Sequence, residues 1–450
     1  MQTKRDRLGL EMTLLPPLET LIPEDHHLRR LDRVLDLSFV HESVRDRYCQ
    51  TNGRPSIDPE VVLRLFLLQA VEGIPHVRDL MRQVAVNLAY RWFIGYRVDE
   101  KLPDHSTLSR ALDRFGDDVF NELFVRSVSQ CQKSGLIEGK VLHLDATTIR
   151  ADLDANRVNQ PDSPDKDARF GRFPNGTKQP GYKQHALADG KKRVVVGVTV
   201  TPANSPDDST MTEMIDDAID RLGSPPEAIC ADSAYSSGEN AACSYGKGLR
   251  LVSPPRKARN HHSHEQFTIE QFEYDEKSDN FICPAGKILK KAGRMSGRKD
   301  RFKYRASAID CRSCPLKSQC TKSPHRSLNV SSNHGSLVRL RADYKTESFK
   351  KLYRQRSPVI EGVFAEAKQW HGLGRAWRRG LSKMLVQCLL VAAVINLKRL
   401  GAVAVDLFNL QVMFNTILDA IERIMKASER CCSMKMLSLA NLITDAPRRT

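Results

Sequence analysis

The sequence predicts an α/β protein, a mixed sheet with flanking helices that follows an all-helical segment and carries a cysteine-containing insertion. Three observations predict it. Apolar residues recur at helical spacing up to about residue 135, the period changes to that of strands near residue 138, and a polar, basic stretch holding CPAGK and CRSCPLKSQC breaks the rhythm from 243 to about 335. At 450 residues the chain exceeds one ordinary core. The expected division is 1–135 helical, 136–400 α/β with 243–335 inserted, and 401–450 a helical tail that frays through SERCCSMKM.

The helical segment is read from its caps and stripes. In SIDPEVVLRLFLLQAVEG, Asp58 is the expected N-cap, Pro59 the first helical residue and Glu60 an acid in the first turn. Val62, Leu63, Phe66, Leu67 and Ala70 then form a stripe. PHVRDLMRQVAVNLAYRWF is a second amphipathic stretch. PDHSTLSRALDRF is a third, with Ser106 as its expected cap and Arg110 and Arg114 four apart on one face. Short helices presenting arginine suit a helix-turn-helix reader of DNA. A bundle with a solvated basic face has the same pattern.

GKVLHLDATTIRA reads as a strand, and residues 156–181, rich in Asn, Pro, Gly and Asp, as a long loop. YKQHALADGKKRVVVGVTVTPAN gives two strands about an Asp189-Gly190 turn. TMTEMIDDAIDRLGSPP is a helix that stops at Gly223, and EAICADSAYSSGEN is a strand that ends in Asp232. Residues 346–400 read as helical.

Composition narrows the partners. Lys and Arg number 70 against 54 Asp and Glu, a formal charge of +16, which favours a polyanion, with nucleic acid ahead of an anionic membrane. The longest apolar run, Cys388 to Ile395, is eight residues, so no membrane span is expected. MQTKRDRLGLEMT has no secretion-type apolar core, and eleven unevenly spaced cysteines suit a reducing cytoplasm.

The chemistry concentrates in three acids. A buried strand that holds Asp145 among Val141, Leu142, Leu144 and Ile149 carries a charge costing several kcal/mol unless it is paired or binds a metal. Asp232 closes a second strand. Glu361, in YRQRSPVIEGVFAEAKQWHGLG, shares a helical face with Lys368, and Ile360, Val363 and Phe364 anchor that segment. Glu366 points elsewhere. Three carboxylates on neighbouring elements make a hard, oxygen-only site for Mg²⁺ or Mn²⁺. Each also has an ordinary reading: Asp145 as a turn cap, Asp232 as a strand-end acid, Glu361 as a partner of Lys368 or Arg356. Asp152 and Asp154 read as solvated loop charges, and His143 either tunes the site or simply packs.

The trio resembles the DDE set of bacterial insertion-sequence transposases with an RNase H-like core. Tyr353, Arg356, Glu361 and Lys368 resemble that family's Tyr-Arg-Glu-Lys signature, with four residues between the arginine and the glutamate where many relatives have three. GYKQHALAD, TPANSPDDS, ADSAYSS and WRRGLSKMLVQCLLVAAVINLKRL also look like family segments, and GRPSIDPEVVLRLFLLQAVEGIPHVRDLM resembles the family's N-terminal module. The likeness covers roughly residues 45 to 400.

The resemblance implies metal-dependent end cleavage and strand transfer on double-stranded DNA, at an element's terminal inverted repeats and a target. Two ions would be held by Asp145 jointly and by Asp232 and Glu361 singly. It further implies Lys368, Arg356 and Arg375 near DNA phosphates, action as a homodimer or larger assembly, and a place on the bacterial nucleoid. Two alternatives stand beside it, a DNA-binding protein without catalysis and a nuclease that only hydrolyses.

Cys283, Cys311, Cys314 and Cys320 are candidate ligands of a Cys₄ zinc site in the insertion, with free thiols as the alternative; only one pair has knuckle spacing. The HHSH run at 261–264 reads as solvated, and Cys431 and Cys432 have no assigned role.

Overall fold

The computed structural model describes residues 16–49, 56–256, 266–295 and 298–404. The HHSH run, Cys431, Cys432 and all of the expected tail beyond residue 404 lie outside them. The described part of 16–133 consists of helices and contains no strand. Asp58 caps the helix Pro59–Val71 as expected, its carboxylate accepting from Glu60 N at 2.8 Å. Burial there is not confined to one stripe. Val61, Leu65 and Leu68 are as enclosed as Phe66, and Arg64 is buried against Asp32 and Glu60, so this is the central helix of its bundle. The helix His105–Phe115 is capped by Asp104, whose carboxylate accepts from Ser106 N, rather than by Ser106. An ionised acid two residues upstream is the better acceptor at a helix start.

Residues 141–252 build a six-stranded sheet: β1 (Val141–Arg150), β2 (Arg169–Arg172), β3 (Lys178–Asp189), β4 (Val195–Pro202), β5 (Ala228–Cys230) and β6 (Arg250–Val252). Its order is β2-β3-β1-β5-β6, with β4 also on β3. β1 and β3 run antiparallel, whereas β5 and β6 run parallel to β1 and to each other. β3 and β4 pair as predicted, but their connection spans residues 190–194, with Arg193 in the left-handed region at φ 57°. The helix Met211–Leu222 ends at Gly223, φ 74°, as its sequence says.

Two expected boundaries change. The supposed loop at 156–181 contains β2 and the start of β3, folded about Asn175-Gly176, where Gly176 has φ 80°. The loop-forming residues there are the turn of a hairpin. The insertion also begins later than 243, because the helix Gly238–Gly246 and β6 belong to the first sheet, with Leu251 and Val252 fully buried. Beyond β6 the chain builds a separate antiparallel sheet of β7 (Glu273–Asp275), β8 (Asn280–Ile282), β9 (Ile288–Met295), β10 (Arg298–Ala306) and β11 (Ser327–Ser331), in order β11-β10-β9-β8-β7. Its own small core is centred on Phe281, Leu289 and Tyr304.

The chain then returns through the helix Glu347–Arg356, a π-helical turn Ser357–Glu361 and the helix Gly362–Trp370. A last helix, Leu381–Ala404, is long and apolar enough by length and composition to cross a membrane, but 78% of its apolar window is buried inside the protein. It is the core helix that ties the two halves together. Asn396, fully enclosed, accepts from Val195 N at 2.8 Å, donates to Val195 O at 2.8 Å and donates to Ser127 Oγ at 3.2 Å. One side chain thereby satisfies both backbone groups of a residue in β4. Asn396→Leu strands these groups and is expected to cost roughly 2–4 kcal/mol, read as a lower urea midpoint with an unchanged m-value.

Candidate active site

The parallel ladder between β1 and β5 sets the geometry. Leu142 pairs with Ile229 and His143 with Cys230, so two residues on, Asp145 stands level with Asp232 just past the carboxyl end of β5. Side chains alternate along a strand, so His143 and Asp145 share a face. Asp232 caps the short turn Ser233–Tyr235 by accepting from Ala234 N at 2.8 Å, and its carbonyl accepts from Ser253 Oγ at 2.5 Å.

Asp145 is half-buried. Its Oδ1 accepts from Ala146 N at 2.9 Å and its Oδ2 from Arg356 Nη1 at 2.8 Å. Burial pushes its carboxyl above the ordinary aspartate range, the Arg356 guanidinium pulls it back, and neighbouring Asp232 adds to the rise. Beneath the pair lies Tyr235, fully buried, whose hydroxyl is driven far above its usual pKa first by burial and then by Asp145. His185 reaches that hydroxyl at 3.4 Å and Thr201 Oγ1 at 2.9 Å. His143 is completely enclosed, neither ring nitrogen has a partner among the described residues, and burial depresses its pKa to about 4. It is the packed histidine of the two readings.

Glu361 ends the π-helical turn, which packs on β1 and β3. Its side chain is exposed and makes no hydrogen bond or ion pair among the described residues. The π turn covers the four residues that separate Arg356 from Glu361, and Pro358 within it cannot donate to the helix ladder. Lys368 is half-buried, and burial lowers its pKa. Glu366, by contrast, is committed elsewhere. His371, Arg399 and Lys398 all reach it, Lys398 Nζ at 2.7 Å, and together they hold its carboxyl well below the usual range although burial opposes them.

The structure therefore brings Asp145 and Asp232 side by side and sets Glu361 on an adjoining turn. Among the described residues no three His, Cys, Asp or Glu side chains are gathered closely enough to hold one ion. The donor set is nonetheless hard and anionic, the oxygen-only kind a divalent ion takes, and Arg356 occupies one oxygen of Asp145 in its place. Of the other expected residues, Tyr353 lies under the Arg356 guanidinium at 5.8 Å, Arg375 is exposed and paired with Asp152, and Asp154 caps the turn Ala155–Arg157. Arg110 and Arg114 are exposed on one helix and line a cleft of about 750 Å³ with Tyr48, Tyr96 and Lys101.

The four cysteines are free and partly buried beside the small sheet. Burial raises the Cys320 thiol, and Cys283, Cys311 and Cys314 each add to the rise, but the four are not gathered closely enough to hold one ion. Cys283 Sγ accepts from Lys287 N at 3.3 Å.

Sequence reasoning missed the Arg356–Asp145 pair and the buried Tyr235–His185 contact. The one local signal was Pro358, a proline inside an apparent helix. Glu361 and Glu366 separate cleanly in stability. Glu361→Gln should change it by less than about 0.5 kcal/mol, whereas Glu366→Gln should lose roughly 2 kcal/mol at pH 7. Because the Glu366 carboxyl is depressed, that second gap is full above its unfolded pKa near 4.5 and closes as pH falls below it; urea melts across pH 3–7 read both.

Residues 16–114 match a transposase domain, DUF772, and residues 282–401 match a transposase DDE domain. The second match contains Glu361, Lys368 and the four cysteines and begins after Asp145 and Asp232. Among solved structures, a piggyBac transposase synaptic complex with hairpin DNA, determined by cryo-EM, aligns with TM-score 0.36 and 11% identity over 84% of this chain and 74% of that one. No curated protein matches the chain. The chain thus joins a segment similar to a transposase domain, DUF772, to a segment similar to a transposase DDE domain.

Proposed function

We propose that this chain is the transposase of a bacterial insertion sequence, cutting the element's terminal inverted repeats and joining the freed 3′ ends to target DNA. The observation that carries the reading is the level placement of Asp145 and Asp232 on adjacent parallel strands, with Glu361 on a turn packed against the same strand. Asp145, Asp232 and Glu361 would hold Mg²⁺ or Mn²⁺, and bound ions would supply charge stabilisation for the attacking and leaving oxygens of a phosphodiester.

The chain's own residues do the rest. Arg356 neutralises Asp145 within a poorly solvated setting and keeps the carboxylate oriented by a single hydrogen bond. Asp232 is fixed by its own turn through one carboxylate oxygen, which would leave the other for an ion. Tyr235 is buried close enough to feel both acids and is held at its hydroxyl by His185. Lys368, half-stripped of water, lies two turns from Glu361, where a DNA phosphate would restore its lost solvation. Joining two ends needs two copies of the site, so a homodimer or larger assembly on nucleoid DNA, in the cytoplasm, belongs to the same proposal. Cys283, Cys311, Cys314 and Cys320 remain proposed ligands of a zinc staple for the small sheet, whose described core has seven buried residues; zinc would have to draw the four thiols closer together than they stand.

The test is an assay on DNA carrying the element's ends, with Mg²⁺. The wild-type chain should nick the ends and join them to a target, and Asp145→Ala should lose roughly a thousandfold of that rate, about 4 kcal/mol. Nicking without joining would leave a hydrolytic nuclease, and equal results for both chains would leave a DNA-binding protein without catalysis.

A further inference from the structure

The seam between the helical segment and the catalytic sheet holds a second basic cleft, of about 520 Å³, walled by the helices Val77–Val86 and His105–Phe115 and by the loop 371–380. The loop is pinned at every corner. Arg150 O accepts from Ala376 N at 2.8 Å, Gln387 Oε1 from Trp377 N at 2.9 Å, Tyr182 Oη from Gly380 N at 2.9 Å and Asp167 Oδ2 from Leu381 N at 2.9 Å. His371 ties it to the first half through Ala70 O at 2.9 Å. Such a loop presents its side chains in fixed positions.

Two of those side chains are left unsatisfied. Arg378 lies over the Phe66 ring at 5.2 Å, its Nη2 is buried without an acceptor, and among the described residues no carboxylate stands within ion-pair distance. Burial alone pulls its pKa down to about 10 against the influence of Asp113. The nearby acids are engaged: Asp113 pairs with Lys383 at 2.7 Å and Asp79 with Arg82 at 3.3 Å. Trp377 Nε1 is also buried without a partner among the described residues. Arg78 and Arg82 are exposed on the opposite wall. A desolvated, unpaired guanidinium is costly, and an anion removes the cost. The same loop turns Arg375 and Arg379 toward a smaller cleft lined also by Arg150 and Arg157.

We propose that this seam cleft is a phosphodiester-binding site, in which Arg378, Arg78 and Arg82 seat the backbone of duplex DNA and fix it relative to the Asp145–Asp232 pair. The site rests on the reading of the chain as a DNA-processing enzyme and adds to it where the duplex is held.

The test measures binding of a fluorescein-labelled random-sequence duplex to the full chain by anisotropy across a salt series. The proteins are wild type, the double variant Arg78→Gln/Arg82→Gln, Arg378→Gln, and the exposed remote control Arg312→Gln, each checked for folding by circular dichroism. The two seam variants should bind about 3–10-fold more weakly, with a salt slope shallower by roughly one for each phosphate they no longer neutralise. Arg312→Gln should bind within about twofold of wild type. If Arg378→Gln fails to fold, the exposed double variant decides alone. Wild-type affinity and slope in the seam variants would overturn the site while leaving the proposed transposase standing. Weakened binding in a chain that never nicks DNA would do the reverse. A thermal shift with inorganic phosphate, at constant ionic strength, separates the sources. Stabilisation of wild type by phosphate, with duplex affinity indifferent to the seam substitutions, would make the cleft a free-phosphate site and overturn the proposal.

Discussion

The parallel pairing of β1 with β5 is the constraint on which the rest depends. Parallel neighbours deliver their carboxyl ends to the same edge of a sheet, and this edge receives Asp145 from one strand and Asp232 from the next. The register is enforced from both sides. β1 is held over nine residues by β3, and β5 is only three residues long but fully buried, so a slip of one would turn Leu142 and Ile229 out of the core. Two like charges thus stand together because the apolar residues before them leave no other choice.

Such a pair is unfavourable alone, and the chain offsets it with Arg356, which reaches Asp145 from a helix 211 residues further along. The helix carrying Arg356 continues into the π turn that carries Glu361, so the cation and the third acid are set by one element. Pro358, which cannot donate to the helix ladder, lies inside that turn. Glu366 shows the contrast. It is a few residues on, bound by three basic groups that include two from the core helix Leu381–Ala404, and serves the packing of the two halves rather than the cleft.

Much of this is legible in the sequence. Asp58 before Pro59, Gly223 after an amphipathic helix, and an aspartate amid the aliphatics of VLHLDATTI are local signals, and each marks what the structure holds. The failures have physical causes. β2 is hidden because its hairpin turn and its flanks share the same loop-forming residues. β6 is hidden because three residues carry no measurable period, and only burial against β5 makes them a strand. Asp104 and Ser106 are both good caps, and the choice between them turns on a single hydrogen bond. The Arg356–Asp145 contact and the unpaired Arg378 are products of tertiary packing, to which no local pattern points.

The central claim, that Asp145, Asp232 and Glu361 act as one cation-binding set, is tested most directly by counting bound Mn²⁺ by electron paramagnetic resonance on the chain complexed with its DNA ends. The account predicts about two tightly held ions per active site, both lost in Asp145→Asn and one lost in Asp232→Asn or Glu361→Gln. An unchanged count and affinity in all three variants would contradict it.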